Sequence, residues 1–385
     1  MSEYQYYEFA VLDHALDQRQ RGELRAISTR AQITSTSFVN TYEWGDLKAD
    51  PRVLVERYFD AFLYLSNWGT RRLMLRFPSG TLDAELLADC FVGDAARSWP
   101  SGVHTIIDLI AEDEDGAFEE DWSEGAGEGR LASIVPARAE VLAGDHRLLY
   151  LAWLLCVQAG EVAEEATEPA VPPNLASLNG SLRSVASFLR IDDDLLTVAA
   201  VASIQRHIEV ASTGELDRWL ATIPAPEQAA LLTRVVHGAG QQVQAELQTR
   251  FRRTVLPAPA DPRDRRTAGE LLALAGSRRH NREQATLERR KRKAADRERA
   301  VAAAYELRLA ELADREEESW SAVDALIQER NATSYAGAVV LLEELAEVCR
   351  RAGRDQDYER RLSDLRQTHR RKTAFIERLD RACQR

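Results

Sequence analysis

The sequence predicts an α+β protein that is mostly α-helical, and three features of the chain lead to this prediction. Segments in which apolar and polar residues alternate lie before residue 111, as in strands that bury one face. Helical periodicity, with apolar residues three and four apart, dominates from residue 136 onward. Residues 281–330 contain neither Pro nor Gly and are rich in Ala, Glu, Arg and Leu, which is typical of one long helix.

Residues 1–135 are predicted to form a small N-terminal α/β sheet domain. The predicted strands lie at residues 4–12, 37–44, 70–77 and 103–110. Asp50 is a favourable N-cap and Pro51 is tolerated in a first helical turn, so a helix is predicted from there to residue 67. Strands that alternate with helices predict helices packed on a mixed sheet.

Residues 112–128 form a strongly acidic segment, with nine acids, no base and several glycines. This composition predicts a solvated loop that joins two strands. Two alternatives are a calcium site and a segment that folds back on the basic part of the predicted long helix. The segment lacks the alternating ligands and the closing Glu of an EF-hand loop, which disfavours calcium.

A central helical bundle is predicted at residues 136–255. Its most apolar part, residues 148–157, is a run of ten apolar residues. This run is about half as long as a membrane span, so it predicts a buried helix. Residues 256–262, LPAPADP, predict a semi-rigid linker and a domain boundary. The last part, residues 263–385, is then predicted to hold the long charged helix and a helical hairpin.

Charge is sorted along the predicted long helix. Between Arg278 and Arg299 ten bases face four acids, a local charge of +6, whereas the following half is acidic. Cations near a helix N-terminus oppose the macrodipole, so helix stability does not explain them. The bases predicted to bind a partner, which we call the basic arm, are Arg289, Arg290, Lys291, Arg292, Lys293, Arg297 and Arg299. An apolar stripe predicts that the second half packs against other helices, through Val301, Tyr305, Leu309, Leu312, Trp320, Val323 and Ile327.

Three interpretations of the basic arm are open: a solvated surface, a docking surface for an acidic protein, and a phosphate-binding surface for nucleic acid. The chain has a net charge of −12, so the remainder of it carries −18. An acidic body repels phosphates. The arm also lacks interleaved aromatic residues for stacking on bases. Of the two docking interpretations, a protein partner is therefore favoured.

The C-terminal residues resemble two kinds of helical segment. The spacing of Tyr335, Ala338, Gly353 and Tyr358 resembles one tetratricopeptide (TPR) unit. The segments YAGAVVLLEELAEV and YERRLSDLRQTHRRKTAFIERLDRA resemble the C-terminal helices of some bacterial proteins with a SWIM-type zinc finger. The finger is missing from this sequence, so zinc and its DNA-binding role do not carry over. The phrases MSEYQYYEF and FVNTYEWGD resemble a family of uncharacterised bacterial proteins, which implies no activity.

Short catalytic motifs are missing from the sequence. It holds no glycine loop for phosphates, no HExxH, no GxSxG and no CxxC pair. This lowers the expectation of an enzyme without excluding one, because folding can assemble distant residues. Arg71, Arg72 and Arg76, with Trp44 and Trp68 near them in sequence, have two interpretations, an anion pocket and a salt-bridged sheet edge. The salt-bridged edge is favoured.

We therefore expect a non-catalytic, cytoplasmic protein-interaction or scaffold protein that docks a partner through its charged C-terminal helical arm. Four dispersed cysteines and an N-terminus without a basic start favour the cytoplasm. The expected partner is another protein, or a second copy that pairs basic half against acidic half in a coiled coil. No membrane, cofactor or metal is expected. The alternatives are a nucleic-acid-associated accessory factor that binds phosphates through the arm, and an enzyme without short motifs.

Overall fold

A computed structural model of the chain describes residues 4–112, 127–203, 213–240 and 265–383, and also residues 243, 244, 246, 247, 250 and 251. Within these residues the fold is α+β and mostly helical, as predicted. The chain divides into two compact units, Met1–Asn281 and Arg282–Arg385. Most of the predicted acidic loop, residues 113–126, and the whole predicted linker, residues 256–262, lie outside the described residues.

The first unit contains an antiparallel sheet, which has seven strands within the described residues. In chain order the strands are β1 (Gln5–Ala10), β2 (Gln32–Ile33), β3 (Ser37–Tyr42), β4 (Ala61–Ser66), β5 (Arg71–Pro78), β6 (Ala96–Ser101) and β7 (His104–Ala111). Their spatial order is β2-β3-β1-β4-β5-β7-β6, and every neighbouring pair is antiparallel. The prediction of a mixed sheet is therefore wrong. Turns such as the one between β4 and β5 join neighbours directly, which parallel strands do not permit.

The predicted helix from residue 50 to residue 67 is wrong in its second half. Helix α1 spans Gln18–Ile27, and helix α2 spans Pro51–Arg57 with Asp50 as its N-cap. The chain then enters β4, which lies between β1 and β5 and is almost entirely buried. A strand buried on both faces shows an apolar run without alternation, and a buried helix shows the same pattern.

Side chains of the sheet alternate between two hydrophobic cores. Phe9 and Phe62 belong to the core that α1 and α2 cover, and Leu63 and Leu75 belong to the core on the other face. The helices on that other face are α3 (Ala84–Cys90), α4 (Arg130–Ile134), α5 (Pro136–Leu142), α6 (Arg147–Gln158), α7 (Gly180–Phe188) and α8 (Asp193–Ala200). All but the last residue of α6 are buried, as its apolar sequence predicts. The sheet and these helices share one continuous core.

The first unit also contains shorter helical elements. A 3₁₀ helix lies at Leu175–Ser177. Helices α9 (Thr213–Leu220) and α10 (Ala225–Arg234) are followed by a π-helical turn at Val235–Ala239. They enclose a small separate apolar cluster of Ile223, Leu231 and Val243.

The long helix, α11, spans Ala268–Asp314, so it begins before and ends before its predicted bounds of 281 and 330. It begins with a capping box, in which Thr267 Oγ1 accepts a hydrogen bond from the Glu270 N–H and the Glu270 carboxylate accepts one from the Thr267 N–H. Its first turns are anchored, because Ala268 and Leu271 are buried in the core of the first unit. The boundary between the two units falls inside α11.

Four further helices complete the second unit. They are α12 (Glu316–Gln328), α13 (Ala332–Arg351), α14 (Asp355–Thr368) and α15 (Thr373–Cys383). At Arg315, between α11 and α12, the backbone leaves the helical region, with φ −124° and ψ 37°. Trp320, Val323 and Ile327 pack into a core with residues of α13, α14 and α15. The predicted C-terminal helical hairpin is thus present, and its TPR-like character stays a prediction.

Candidate functional site

The basic arm lies well inside α11. Ala268 begins the helix, so Arg289 is about six turns from its N-terminus. The dipole of a helix acts within its terminal turns, so the expectation that these cations oppose it is wrong. All seven side chains of the arm are exposed, namely Arg289, Arg290, Lys291, Arg292, Lys293, Arg297 and Arg299.

Most of the arm has no acidic partner within the described part of the chain. Arg299 forms an ion pair with Asp296, 3.3 Å away on the same helix, and both side chains are more than half exposed. Such a pair is screened by water and contributes little stability. For the other six bases, the described residues offer no ion pair. Their charge is therefore available to an external acidic group.

The arm forms a belt of charge rather than a one-sided face. Successive residues of an α-helix are rotated by about 100° and rise by about 1.5 Å. Residues 289–293 are consecutive bases, so they point to all sides of α11 within about 6 Å of its length. The arm can therefore meet an acidic partner from several directions.

Two bases that precede the arm are used inside the first unit. Arg278 lies 3.2 Å from the carboxylate of Asp194, and Arg279 contacts the carboxylate of Asp192, the N-cap of α8. These bases therefore hold α11 against α8 and do not extend the arm. The ten bases between Arg278 and Arg299 therefore do not act alike: some form ion pairs within the first unit, and those of the arm are exposed.

Three acids near the other end of α11 and in α12 pair with arginines in or next to α13 and α14, whereas Glu311, Asp314 and Glu318 are exposed and have no ion pair among the described residues. The ion pairs of the three acids are Glu306–Arg351 and Glu316–Arg354, each at 2.5 Å, and Glu317–Arg361. A base of α11 is engaged as well, because Arg308 lies 2.5 Å from the Glu344 carboxylate of α13. Hydrogen bonds from Arg351 and Arg361 lower the pKa of Glu306 and Glu317 respectively. These carboxylates already have cationic partners within the second unit.

The predicted apolar stripe packs from Leu309 onward. Leu309, Trp320, Val323 and Ile327 are buried, and Leu312 is half-buried. The prediction is wrong for Val301 and Tyr305, which are both exposed. The helices α13–α15 cover the stripe at one end, and the described residues leave its other end open.

The predicted salt bridges are present for Arg72 and Arg76 of β5, but the predicted sheet edge is wrong, because β5 lies between β4 and β7 inside the sheet. Arg72 makes two hydrogen bonds to Asp108, at 2.8 and 2.7 Å, and Arg76 makes two to Asp60, at 3.0 and 2.6 Å. Burial acts to raise the pKa of Asp60, but backbone N–H groups and Arg76 outweigh it, so the pKa is lowered. Arg71 donates to the Phe188 carbonyl at 2.9 Å. Internal acceptors thus occupy all three guanidinium groups.

A cavity of about 520 Å³ opens beside β6. Its lining is Arg52, Glu56, Phe91, Gly93, Ala96, Arg97, Ser98 and Trp99. Arg52 stacks on Trp99, 5.3 Å from the ring centroid, and Glu56 accepts a hydrogen bond from the Trp99 indole N–H at 2.8 Å. These polar groups stabilise one another. Across the described residues, no three His, Cys, Asp or Glu side chains come together as a metal site would require.

Among the described residues, no helix is both long and apolar enough to span a bilayer. Comparison of the chain with family models, with curated proteins and with solved structures finds no match in any of the three. The resemblances to SWIM-type proteins and to a family of uncharacterised bacterial proteins therefore stay predictions.

Proposed function

We propose that this chain is a non-catalytic protein-interaction or scaffold protein that docks an acidic partner protein through the basic arm of α11. The observation that supports this proposal is the contrast within one helix. The arm's seven bases are exposed and six of them lack an ion pair among the described residues, whereas three of the acids further along, Glu306, Glu316 and Glu317, are paired. Unneutralised like charges repel one another, so an acidic partner stabilises this segment.

Pairing of the arm with the acidic half of a second copy is less favourable. In that half Glu311, Asp314 and Glu318 are exposed and have no ion pair among the described residues. Glu306, Glu316 and Glu317, however, would have to exchange their present arginine partners for those of the other copy. The exchange replaces one set of ion pairs by another, and the net gain is small. A different protein that carries unpaired acids does not meet this cost.

Nucleic acid is likewise a less favourable partner for the arm than an acidic protein. Residues 1–281 hold 41 acids and 27 bases, a net charge of −14. Such a body repels a polyanion that extends beyond the arm, whereas a short acidic segment of a protein stays local. No aromatic side chain lies among residues 289–299 to stack on a base.

The proposal includes a cytoplasmic location. Cys90, Cys156 and Cys349 are free and buried. Burial raises the pKa of Cys90 to about 12 and that of Cys156 to about 11, so both thiols stay protonated at neutral pH. Reduced, unpaired thiols fit a reducing compartment.

The proposal is tested with the full chain and two labelled polyanions of equal charge, a poly-glutamate peptide and a DNA duplex. Replacing residues 289–293 by Gln removes five charges from the arm. A matched control removes five exposed charges elsewhere, as R19Q, R21Q, R30Q, K48Q and R370Q. We expect the arm variant to bind poly-glutamate at least tenfold more weakly and the control to change less than twofold. Equal losses in both variants refute docking at the arm, and tighter binding of DNA than of peptide favours the nucleic-acid alternative.

A further inference from the structure

An exposed apolar line runs along α11 through the basic arm. Leu287, Val301 and Tyr305 are 47%, 64% and 42% exposed, and Ala294 between them is exposed too. Residues seven apart on a helix differ by about 20° in direction, and residues 18 apart point the same way. These four side chains therefore share one side of the helix, over about 27 Å of its length.

The same side of α11 is already a helix-packing surface further along. Leu309, one turn after Tyr305, is only 3% exposed. Glu306 and Arg308, which flank that side, pair with Arg351 and Glu344 of α13. Helix α13 ends at Arg351, and the apolar line continues uncovered from there toward Leu287. The exposed line is thus continuous with an established helix–helix interface.

Bases of the arm border this line. Measured by helical rotation from Leu287, Arg290 and Arg297 lie about 60–80° to one side. Lys291 lies about 40° to the other side, and the exposed Glu298 lies there too, at about 20°. Apolar residues at seven-residue spacing with charges at their flanks are the pattern by which one helix selects another. The flanking charges here are mostly positive, so a complementary helix carries carboxylates beside its own apolar side.

We propose that the partner docks as an acidic amphipathic helix of about 18 residues or more. Its apolar side packs along Leu287, Ala294, Val301 and Tyr305, and its carboxylates face Arg290, Lys291 and Arg297. This inference rests on the proposed function and specifies the form of the partner. An extended acidic peptide or a nucleic acid would use the bases and leave the apolar line uncovered.

A second copy of this chain fits the line poorly. Antiparallel pairing centred on Ala294 places Leu287 against Val301, and it also places the bases of one arm beside those of the other. The stretch 289–299 holds seven bases and two acids, so two copies would meet with +5 against +5. Like charges that face one another across such an interface oppose association.

The test uses the full chain and two acidic peptides of identical composition and charge. In one, Leu residues follow a heptad pattern so that a helix has one apolar side; in the other, the same residues are scrambled. Variants Leu287→Ser and Val301→Ser alter the line, and Leu307→Ser is the matched control. Leu307 is 68% exposed on the same helix but points about 120–160° away from the residues of the line.

We expect the heptad peptide to bind at least tenfold more tightly than the scrambled one at moderate salt. Leu287→Ser and Val301→Ser should each weaken its binding about threefold to tenfold, and Leu307→Ser should change it less than twofold. Equal binding of both peptides, or equal effects of all three variants, overturns the helical partner and leaves the charge-based docking intact. If neutralising residues 289–293 has no effect on either peptide, the docking function itself fails. A dimer of the chain that Val301→Ser dissociates overturns the inference in favour of a second copy.

Discussion

Replacing Glu168 by Gln should destabilise the first unit by about 3 kcal/mol. The Glu168 carboxylate is buried and accepts hydrogen bonds from Arg266 at 2.9 and 2.7 Å and from the hydroxyl of Tyr150. Arg266 also donates to the carbonyls of Val198 and Ala199, and it directly precedes the capping box of α11. Glu168 therefore anchors the start of the long helix.

The expected loss of stability follows from the Arg266 charge, which the substitution leaves without its carboxylate partner. Breaking a buried ion pair by removing one partner costs about 3–5 kcal/mol. Arg266 keeps 21% of its side chain exposed, and this contact with water reduces the cost toward the lower end of that range. Gln at position 168 also accepts one hydrogen bond from Arg266, which retains a part of the interaction.

Urea unfolding of the full chain, followed by far-UV circular dichroism, measures this loss. Glu165→Gln is the matched control, because Glu165 is exposed and three residues away in the chain. We expect the control to stay within about 0.5 kcal/mol of the unmodified protein. A loss below about 1 kcal/mol for Glu168→Gln would refute the view that this ion pair holds the start of α11.

Two further predictions concern the ends of α11. Leu271→Ala should lower the free energy of unfolding in urea by about 2–5 kcal/mol, because Leu271 is fully buried. Leu274 is half-exposed on the same helix, so the control Leu274→Ala should lower it by less than about 1 kcal/mol. Similar losses in the two variants would contradict the anchoring of the first turns. A hydrogen bond from Arg351 lowers the pKa of Glu306, and hydrogen bonds from Arg350 and then Arg351 lower the pKa of Glu347 to about 2. Acids with lowered pKa contribute stability that is present above their usual pKa and is lost as pH falls toward the lowered one. Thermal unfolding between pH 6 and pH 2 should therefore depend less steeply on pH in R351M than in the unmodified protein, and parallel curves would contradict this.

The start of α11 shows which features of a helix terminus can be predicted from the local sequence. Thr267 and Glu270 have the spacing of a capping box, and this signal is readable in the sequence. The absence of Gly and Pro nevertheless predicts a helix that begins only near residue 281. Gly269 and Gly276 lie in the first turns of α11. Burial of Leu271 and Ala275 compensates for their low helix propensity, and such burial is visible in the fold alone.

The ion pairs of the second unit show what the sequence alone does not predict. The composition of residues 289–299 predicts an exposed helix, because the stretch offers no large apolar side chain for a core. The partners of Glu306 and Glu316, by contrast, lie 45 and 38 residues away in the chain. Their pairing depends on how α13 and α14 pack, so no local pattern distinguishes these acids from the unpaired bases. The fold supplies this distinction.

The distribution of charge in the second unit separates the residues that the fold uses from those that it does not. Residues 282–385 hold 23 bases and 21 acids, a net charge of +2, and residues 289–299 alone carry +5. The other residues of this unit are thus close to balance, at −3, and many of their charges pair between helices. A chain under selection for stability alone has no physical reason to keep adjacent cations on an exposed helix, because their mutual repulsion opposes folding. Segments that break a local rule in this way are expected at functional sites, where a partner supplies the compensating interaction.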